Sequence, residues 1–392
     1  MKEIYKKKML LVGPGHGHNV EGKLSSLIEQ SLFEVTFLAT HLDHSLVAKY
    51  PQIRFVEFDF AFNKSNPLKI LSTFWTLLKY ARFKEKYDVI YVLGLGSIII
   101  ATLFFFSKKQ TKRALELWSN SLIDTAKHNK NLLGSSNRYI LKKVDYVCQY
   151  WWGIREKFIT LFPQYEHKFL MYQLSYSDVY FSDEKHQPES EFVKQFLSRI
   201  PDNQIVCFWP RSFNASNNHP VLLDAIGLIR REDPGLLVNF KLYLWVGNVE
   251  DIEARRIIEE KIKQQDIVSY VEIIKHPFVP QNDIFAIEER SNFFVNIVND
   301  DILSTYIMEM ICSCRPFVLS NIRTFQFLNE KYGLNINLVD NTPSLIADKI
   351  KDILLNRNQP SYSDFIARKE ACKKYFDRTN VTRWYKILYD KL

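Results

Sequence analysis

The pattern of apolar and polar residues along the chain predicts two successive α/β units. In the first half, short apolar runs predict strands at residues 8–12, 35–39, 53–58, 89–93 and 114–118. Apolar residues at helical spacing predict helices between them, at 21–31, 68–86 and 97–106. The polar stretch 175–202 predicts a linker with a short helix.

The same alternation restarts after the linker. Strands are predicted at 205–209, 241–246, 270–274, 293–298, 317–320 and 338–339, and helices at 221–230, 251–265, 304–312 and 344–356. Short strands separated by helices form parallel sheets with helices on both faces. Because ligands bind such sheets beyond the carboxyl ends of the strands, we expect the functional residues there.

Length and composition agree with this division. A chain of 392 residues that is 46% hydrophobic is long enough for two domains with separate cores. Its five cysteines form no C-x-x-C pair and have no histidine at metal-ligand spacing, so we predict no metal site. The first residues carry too short an apolar run for a secretory signal, and we expect a cytoplasmic protein.

One uncharged run, residues 89–106, has two interpretations. Its 18 residues reach the length of a membrane span. The alternative is a strand, a turn at Gly94 and Gly96, and a buried helix. The glycines divide the run where the α/β alternation requires a turn, so they favour the second interpretation.

The basic residues are concentrated in one part of the chain. Residues 51–150 hold 16 lysines and arginines against 7 aspartates and glutamates, whereas residues 201–392 hold 24 against 25. Residues 68–86 mix aromatic residues with lysines, a pattern typical of interfacial helices but also of amphipathic core helices. The basic cluster at 108–113 favours contact with an anionic membrane surface through residues 68–113. Nucleic acid is not expected, because the aromatic residues are too apolar and too regularly helical.

Two carboxylates stand out in the second half. Asp301 is predicted in the loop before a helix and Glu309 within that helix. A helix that rises ~1.5 Å per residue would hold them on the order of 10 Å apart. This separation suits two ends of one hydroxyl-rich ligand and exceeds the ~5–9.5 Å of a paired acid and base. The alternative is an ordinary βαβ unit with surface acids.

A glycine-rich loop follows the first strand, with Gly13, Gly15 and Gly17 around His16 and His18. Such a loop lets the backbone approach a phosphate at the start of a helix. The histidines are either polar contacts or solvated loop residues.

Two phosphate-binding motifs are incomplete in this loop. The dinucleotide fingerprint fails at Val20, where it needs Gly or Ala. A P-loop is nearly spelled as far as Lys23, but Leu24 stands where a Mg²⁺-binding Ser or Thr is required.

Residues 301–318 resemble the signature of retaining glycosyltransferases of the GT-B fold, the group 1 or family 4-like enzymes. The family pattern is Glu-x7-Glu followed by Ala-Met-Ala-x-Gly-x-Pro-Val. Here Asp301 and Glu309 take the acidic positions and Pro316 that of the proline, whereas Ser304 and Arg315 stand where the family usually has glycine.

The resemblance covers nearly the whole chain and is most specific in residues 205–356. It implies an α/β protein of the GT-B fold, with two Rossmann-like doubly wound domains facing each other across a cleft. The implied domains are 1–180 on the acceptor side, 203–360 for the sugar nucleotide, and closing helices at 361–392 that cross back to the first domain.

The resemblance also implies an activity. The chain would move a sugar from a nucleotide-sugar, most simply a UDP- or GDP-sugar, to a hydroxyl of a glycan or lipid-linked acceptor in surface polysaccharide or glycolipid assembly. The anomeric configuration would be retained, without a metal or other cofactor.

Residue roles follow from the matched positions. Arg211 would meet the donor diphosphate, Glu309 the ribose, and Asp301 hydroxyls of the donor sugar, as the catalytic set. Asn217 stands where the family has a second phosphate-binding cation, a charge that an amide cannot replace. The other implied donor-side residues are Gly13, Gly15, Gly17, Gly247, Pro277, Phe278, Val279 and Ser304, and the acceptor-side residues are His16, His18, Trp118 and Asn120.

Two other functions remain open from the sequence. A sugar-nucleotide epimerase of the same fold would consume the donor without an acceptor. A non-catalytic, basic membrane-binding relative is the other, because Asn217 and the absence of the family histidine near Trp118 depart from the enzymes' pattern.

Overall fold

A computed structural model describes residues 6–15, 18–58, 67–118, 120–172, 187–214, 217–246, 251–275, 281–301, 304–313, 315–334, 336–356, 370–374 and 378–391. The chain divides into two compact units. The N-terminal unit comprises Met1–Ser177 with Phe376–Leu392, and the C-terminal unit comprises Asp178–Tyr375.

The N-terminal unit is built on a seven-stranded parallel sheet with the order β3-β2-β1-β4-β5-β6-β7. The strands are β1 Lys7–Pro14, β2 Phe33–Thr40, β3 Arg54–Glu57, β4 Val89–Leu93, β5 Lys112–Glu116, β6 Tyr146–Gln149 and β7 Phe169–Met171. All five residues of β4, VIYVL, are buried. Continuous apolar runs of this kind are expected in a parallel sheet covered by helices on both faces.

Helices connect these strands. They are α1 His18–Gln30, α2 His44–Lys49, α3 Pro67–Leu78, α4 Ser97–Phe106, α5 Ser121–His128, α6 Leu132–Lys143 and α7 Trp152–Leu161. The uncharged run thus folds as β4, a turn at Gly94 and α4, which confirms the strand–turn–helix interpretation. Within the described residues, no helix is long and apolar enough to cross a membrane.

The predicted helix at 68–86 is only partly continuous. α3 ends at Leu78, and the chain continues as a π-helical segment, Lys79–Lys84. The apolar pattern of residues 68–86 does not locate this change, because a single π-helical turn is a short, local departure within a helical run.

The C-terminal helix, Arg378–Lys391, packs against α1 within the N-terminal unit. The Lys7 ammonium donates to the carbonyl of Tyr389 at 2.7 Å and lies over its ring. The Tyr146 hydroxyl donates to the carbonyl of Lys391, also at 2.7 Å. These bonds satisfy carbonyl groups in the last turn, which have no partners inside the helix.

The C-terminal unit contains a six-stranded parallel sheet with the order β10-β9-β8-β11-β12-β13. Its strands are β8 Ile205–Trp209, β9 Phe240–Val246, β10 Val271–Lys275, β11 Phe293–Asn296, β12 Phe317–Ser320 and β13 Leu338–Val339. Its helices are α8 Glu191–Ser198, α9 His219–Glu232, α10 Ile252–Gln264, α11 Gln281–Arg290, α12 Thr305–Cys312, α13 Arg323–Tyr332 and α14 Pro343–Asn356.

Local sequence fixes several of these helix ends. The Asp251 carboxylate caps α10 by accepting the backbone N–H groups of Glu253 and Ala254 at 3.0 and 3.2 Å. Gly333 follows α13 with φ +61°, a left-handed conformation that glycine adopts without strain.

Chain order reverses at one place in each sheet. The reversal lies between β1 and β4 in the N-terminal unit and between β8 and β11 in the C-terminal unit. Connections leave to opposite sides at such a switch point, so a crevice opens beyond the carboxyl ends of the two strands. Gly15 directly follows β1, and Arg211 and Asp301 follow β8 and β11.

Candidate functional site

Arg211 and Asp301 meet at the switch point of the C-terminal sheet. Arg211 lies two residues after β8, and Asp301 lies five residues after β11, the neighbouring strand. An Nη2 nitrogen of Arg211 donates to Oδ2 of Asp301 at 2.8 Å. The Asp301 side chain is 1% exposed and that of Arg211 20%. The sequence therefore places one cation and one anion where ligands bind in such sheets.

The Asp301 carboxylate is also bonded to its own loop. Its Oδ1 accepts the Ser304 backbone N–H at 2.8 Å, and its Oδ2 lies 3.3 Å from the Ser304 hydroxyl and 3.5 Å from Nδ2 of Asn296. The hydroxyl of Thr324 donates to the Asp301 carbonyl. Asp301 therefore fixes the start of α12 and the orientation of Arg211 through these hydrogen bonds. Direct contact with a sugar stays a prediction.

Asn217 is turned into the loop that precedes α9. Its side chain is buried, and Nδ2 donates to the Ser212 carbonyl at 2.8 Å. Its backbone bridges Val298, so this loop is joined to the segment after β11. The amide group of Asn217 thus stabilises its own loop. A contact between this side chain and a ligand stays a prediction.

His219, the first residue of α9, packs against residues on either side of Arg211. Its ring stacks on Trp209 with centroids 4.1 Å apart and meets Phe213 edge-on at 4.9 Å. Burial lowers the pKa of His219 to about 4, so the imidazole is neutral near pH 7. A neutral, stacked histidine can hold the Arg211 loop without adding a competing charge.

Glu309 lies in α12 and is 4% exposed. A second glutamate, Glu288 of α11, is 3% exposed and hydrogen-bonds to Glu309. Burial, and then the charge of Glu309, raises the pKa of Glu288 well above its usual value. Glu288 is therefore a second buried carboxyl group in contact with Glu309, the residue that the motif assigns to ribose binding.

In the N-terminal unit, the glycine loop is packed against its neighbours. A Cβ atom at Gly13 would lie 2.9 Å from Cβ of Leu93, and one at Gly15 would lie 2.7 Å from Cα of Leu42. The Gly15 N–H donates to the Thr40 carbonyl at 2.6 Å. These glycines are required by the packing of β1 against its own unit, whether or not a phosphate approaches the loop.

Several predicted site residues cannot be placed. His16, Gly17, Gly247, Pro277, Phe278 and Val279 lie outside the described residues. His18 begins α1, and its side chain is likewise outside the described part. Their proposed roles stay predictions.

Comparison with known proteins decides the fold. No protein-family profile matches the sequence, and no curated protein matches it significantly. Among solved structures, HepE from Anabaena in complex with UDP-glucose is similar with a TM-score of 0.74 at 12% identity, over 98% of this chain and 100% of HepE. Sucrose-phosphate synthase from Thermosynechococcus elongatus has a TM-score of 0.73 at 12% identity, over 98% and 99%. A glycosyltransferase from Rickettsia africae has a TM-score of 0.69 at 14% identity, over 98% of both chains.

The chain has the GT-B fold. This confirms the predicted fold class of two Rossmann-like units. At 10–14% identity the likeness defines the fold, and the chemistry has to be inferred from the residues themselves.

The first unit of this GT-B chain holds a buried polar cluster that the sequence did not predict. The Glu116 carboxylate, at the end of β5, accepts hydrogen bonds from Tyr91 Oη and Trp118 Nε1, each at 2.7 Å. The Lys23 ammonium lies 2.9 Å from the same carboxylate and donates to Tyr172 Oη at 3.0 Å. Lys23 is thus committed to the interior, which removes it as a P-loop lysine.

Trp118 is the partly exposed member of this cluster, at the carboxyl edge of the sheet. A Cβ atom at Gly94 would overlap the Trp118 ring, and Gly94 has φ +50°. Asn120 follows two residues later and is also partly exposed. Glu116 and Gly94 therefore fix the position of the Trp118 indole, one of the residues predicted for the acceptor side.

Proposed function

We propose that this chain is a retaining glycosyltransferase that moves a sugar from a nucleotide-sugar to a hydroxyl of a glycan or lipid-linked acceptor. One observation carries the proposal: Arg211, Asp301 and Glu309 follow or flank the two switch-point strands of the C-terminal sheet in a GT-B fold. HepE in complex with UDP-glucose and an E. coli structure bound with UDP-2-fluoro glucose have the same fold, which supports a nucleotide-sugar donor.

The guanidinium of Arg211 suits a diphosphate. Its Nε is buried and has no hydrogen-bond partner within the described residues, while Nη2 is held by Asp301. A phosphate oxygen would satisfy that N–H and receive a charge-assisted bond. The N-terminus of α12, beside Asp301, adds partial positive charge. Both would stabilise the negative charge that develops on the departing nucleoside diphosphate.

Glu309 suits the hydroxyl-rich part of the donor. An ionised carboxylate only accepts hydrogen bonds, and a ribose offers two hydroxyl donors side by side. As the bond between the sugar and the diphosphate breaks, the sugar acquires oxocarbenium character. The acceptor hydroxyl attacks on the face that the diphosphate leaves, and its proton passes to an oxygen of the departing diphosphate. This route retains the anomeric configuration and, in our proposal, uses no metal ion.

The N-terminal unit would bind the acceptor. The Trp118 indole is a flat, partly exposed surface, and rings of this kind combine a large apolar face with a polar N–H. Here the N–H is already bonded to Glu116, which leaves the ring face for the C–H side of a sugar.

Turnover of a donor panel tests this function. The protein is incubated with UDP-, GDP- and ADP-sugars, with and without glycan and lipid acceptors, and release of the nucleoside diphosphate is measured. We expect one base class to be used with acceptor present, and Arg211→Ala to lower turnover about 100-fold. Arg323→Ala, at an exposed arginine of the same unit, is the matched control.

The outcomes separate the alternatives. A product whose anomeric configuration is the same as that of the donor sugar supports retention. A donor converted without any acceptor indicates the epimerase, and no conversion of any donor contradicts the proposal.

We also propose that the chain attaches peripherally to an anionic membrane through an exposed aromatic face. This face comprises large apolar side chains on α3, the π-helical segment and α4: Leu71, Phe74, Trp75, Phe83, Ile98 and Phe105, which are 42–68% exposed. Phe74 and Phe106 meet edge-on at 5.1 Å, so α3 and α4 present it side by side. An exposed apolar patch beside basic residues is typical of a membrane-contacting surface.

The basic residues beside this face differ in their availability. Lys79, Arg82, Lys84 and Lys109 are exposed. Arg113, by contrast, donates to the Ser107 hydroxyl and lies 3.6 Å from Asp145, so it belongs to the interior. The charge available to a lipid surface therefore comes from the lysines and Arg82.

A further inference from the structure

The carboxyl group of Glu288 has no assigned role, yet it lies against Glu309. Glu288 is near the end of α11 and Glu309 is in α12, so the contact joins two helices. Both side chains are more than nine-tenths buried. Glu289, the next residue on α11, is exposed. The burial of Glu288 is therefore specific to its position on the helix.

Two carboxylates in contact in a buried site cannot both be ionised. Burial and the charge of Glu309 raise the pKa of Glu288 well above its usual range, which favours Glu288 as the carboxyl group that holds the proton. Its O–H then donates to the Glu309 carboxylate. The other oxygen, Oε1, has no partner within the described residues, and leaving it unpaired costs less on a neutral acid than on a carboxylate.

The other titratable groups near the pair are already engaged. The Tyr306 hydroxyl donates to the Phe208 carbonyl at 2.8 Å, and burial raises its pKa, so it stays neutral. Burial likewise raises the pKa of the Cys207 thiol. The Arg211 guanidinium is bonded to Asp301. None of these groups takes the place of the Glu288 proton.

Asp283, the other buried acidic residue of α11, is bonded to a different part of the unit. Asp283 accepts the backbone N–H groups of Glu189 and Ser190, and so fixes the start of α8. Among the described acidic residues of α11, Glu288 is the one shown in contact with Glu309.

We propose that Glu288 is a positioning residue that donates a hydrogen bond to Glu309 and sets the orientation of the carboxylate that receives the ribose hydroxyls of a nucleotide. The inference rests on the proposed function. It gives the nucleotide site a dependence on one proton. As pH rises and Glu288 ionises, the two carboxylates repel each other, and Glu309 loses the bond that orients it.

Nucleotide affinity measured across pH tests this role. Titration calorimetry with UDP and GDP is run from about pH 6 to about pH 9 on the wild type, Glu288→Gln, Glu288→Leu and Glu289→Gln. Glutamine keeps an N–H donor and cannot ionise, leucine removes the donor at similar volume, and Glu289→Gln is the matched control at the exposed neighbour.

We expect the wild type and Glu289→Gln to lose affinity at the alkaline end, whereas Glu288→Gln keeps near wild-type affinity over the whole range. Glu288→Leu should bind about tenfold more weakly near pH 7, the size expected for one hydrogen bond to a charged group. Ionisation of the base itself would weaken binding by all four proteins alike, so it cannot produce this difference.

The contradicting results are distinct. Parallel pH profiles for the wild type and Glu288→Gln, or wild-type affinity in Glu288→Leu, would overturn the role of Glu288 while leaving the nucleotide site intact. If Glu288→Leu does not fold, the Glu288→Gln profile decides alone. Absence of nucleotide binding by the wild type at every pH would overturn the proposed function and this inference together.

Discussion

Single residues divide here into those that a local motif reveals and those that only the fold reveals. Arg211, Asp301 and Glu309 could be found from the sequence because each stands at a fixed distance from a predicted strand or helix. Glu288 could not, because its meaning depends on Glu309 across two helices. Lys23 was visible only as part of an incomplete P-loop, whereas its partner is Glu116 on β5, which is separated from β1 in the sheet by β4.

The Arg211–Asp301 pair gives a stability prediction. Arg211→Gln leaves the Asp301 carboxylate, 1% exposed, without its cation. We expect the C-terminal unit to lose about 2 kcal/mol of unfolding free energy in urea titrations. That is less than the ~3–5 kcal/mol of a fully buried pair, because Arg211 is partly solvated and Ser304 still donates to Asp301.

Two variants control this measurement. Arg323→Gln breaks an exposed pair with Glu330, 56% and 57% exposed, and should change stability by less than about 1 kcal/mol. Arg211→Gln combined with Asp301→Asn removes both charges and should recover part of the loss. Equal effects of Arg211→Gln and Arg323→Gln would show that the pair is not buried in solution.

Among the secondary-structure elements, the strands were predicted best. Buried parallel strands are continuous apolar runs, so the predicted strands 89–93 and 205–209 agree with β4 and β8 residue for residue. Short, half-buried helices lack that contrast, and α2, α5, α6, α7, α11 and α13 were not predicted. The short strands β6 and β7 were also missed. The turn from α3 into the π-helical segment was also missed, since the apolar spacing continues through it.

The exposed aromatic face on α3 and α4 gives a prediction for these elements. We expect the wild type to float with anionic vesicles and not with neutral ones, because apolar burial and lysine attraction act together. Trp75→Ser combined with Phe105→Ser removes two side chains that are 60% and 68% exposed and should weaken binding about tenfold or more. Ile252→Ser, at an 83% exposed residue of the C-terminal unit, is the control.

Vesicle binding that is indifferent to lipid charge would contradict the membrane proposal. Equal loss in the Ile252→Ser control would show that binding does not depend on the aromatic face. High salt should weaken the wild-type interaction, because exposed lysines are screened within about one Debye length.

The whole molecule combines a widely shared fold with a locally determined chemistry. Structures of the same fold cover 98% or more of this chain at 10–14% identity, so the alternation of buried strands and helices is enough to specify it. The proposed donor site depends on a few groups at one switch point, Arg211, Asp301 and Glu309. In the proposed function, side-chain contacts would select the base and the sugar, and an apolar pattern does not encode such contacts.

Thermal stabilisation by UDP, GDP, ADP and CMP, in the wild type and in Glu309→Ala, tests most directly whether this chain has a nucleotide-sugar site. A ligand at about 100 times its dissociation constant adds roughly 2.7 kcal/mol to the folded state. We expect one nucleoside diphosphate to stabilise the wild type and the exposed-site control Glu330→Ala equally, and to leave folded Glu309→Ala unshifted. No stabilisation by any of the four nucleotides, or equal stabilisation of Glu309→Ala, would contradict the proposed site.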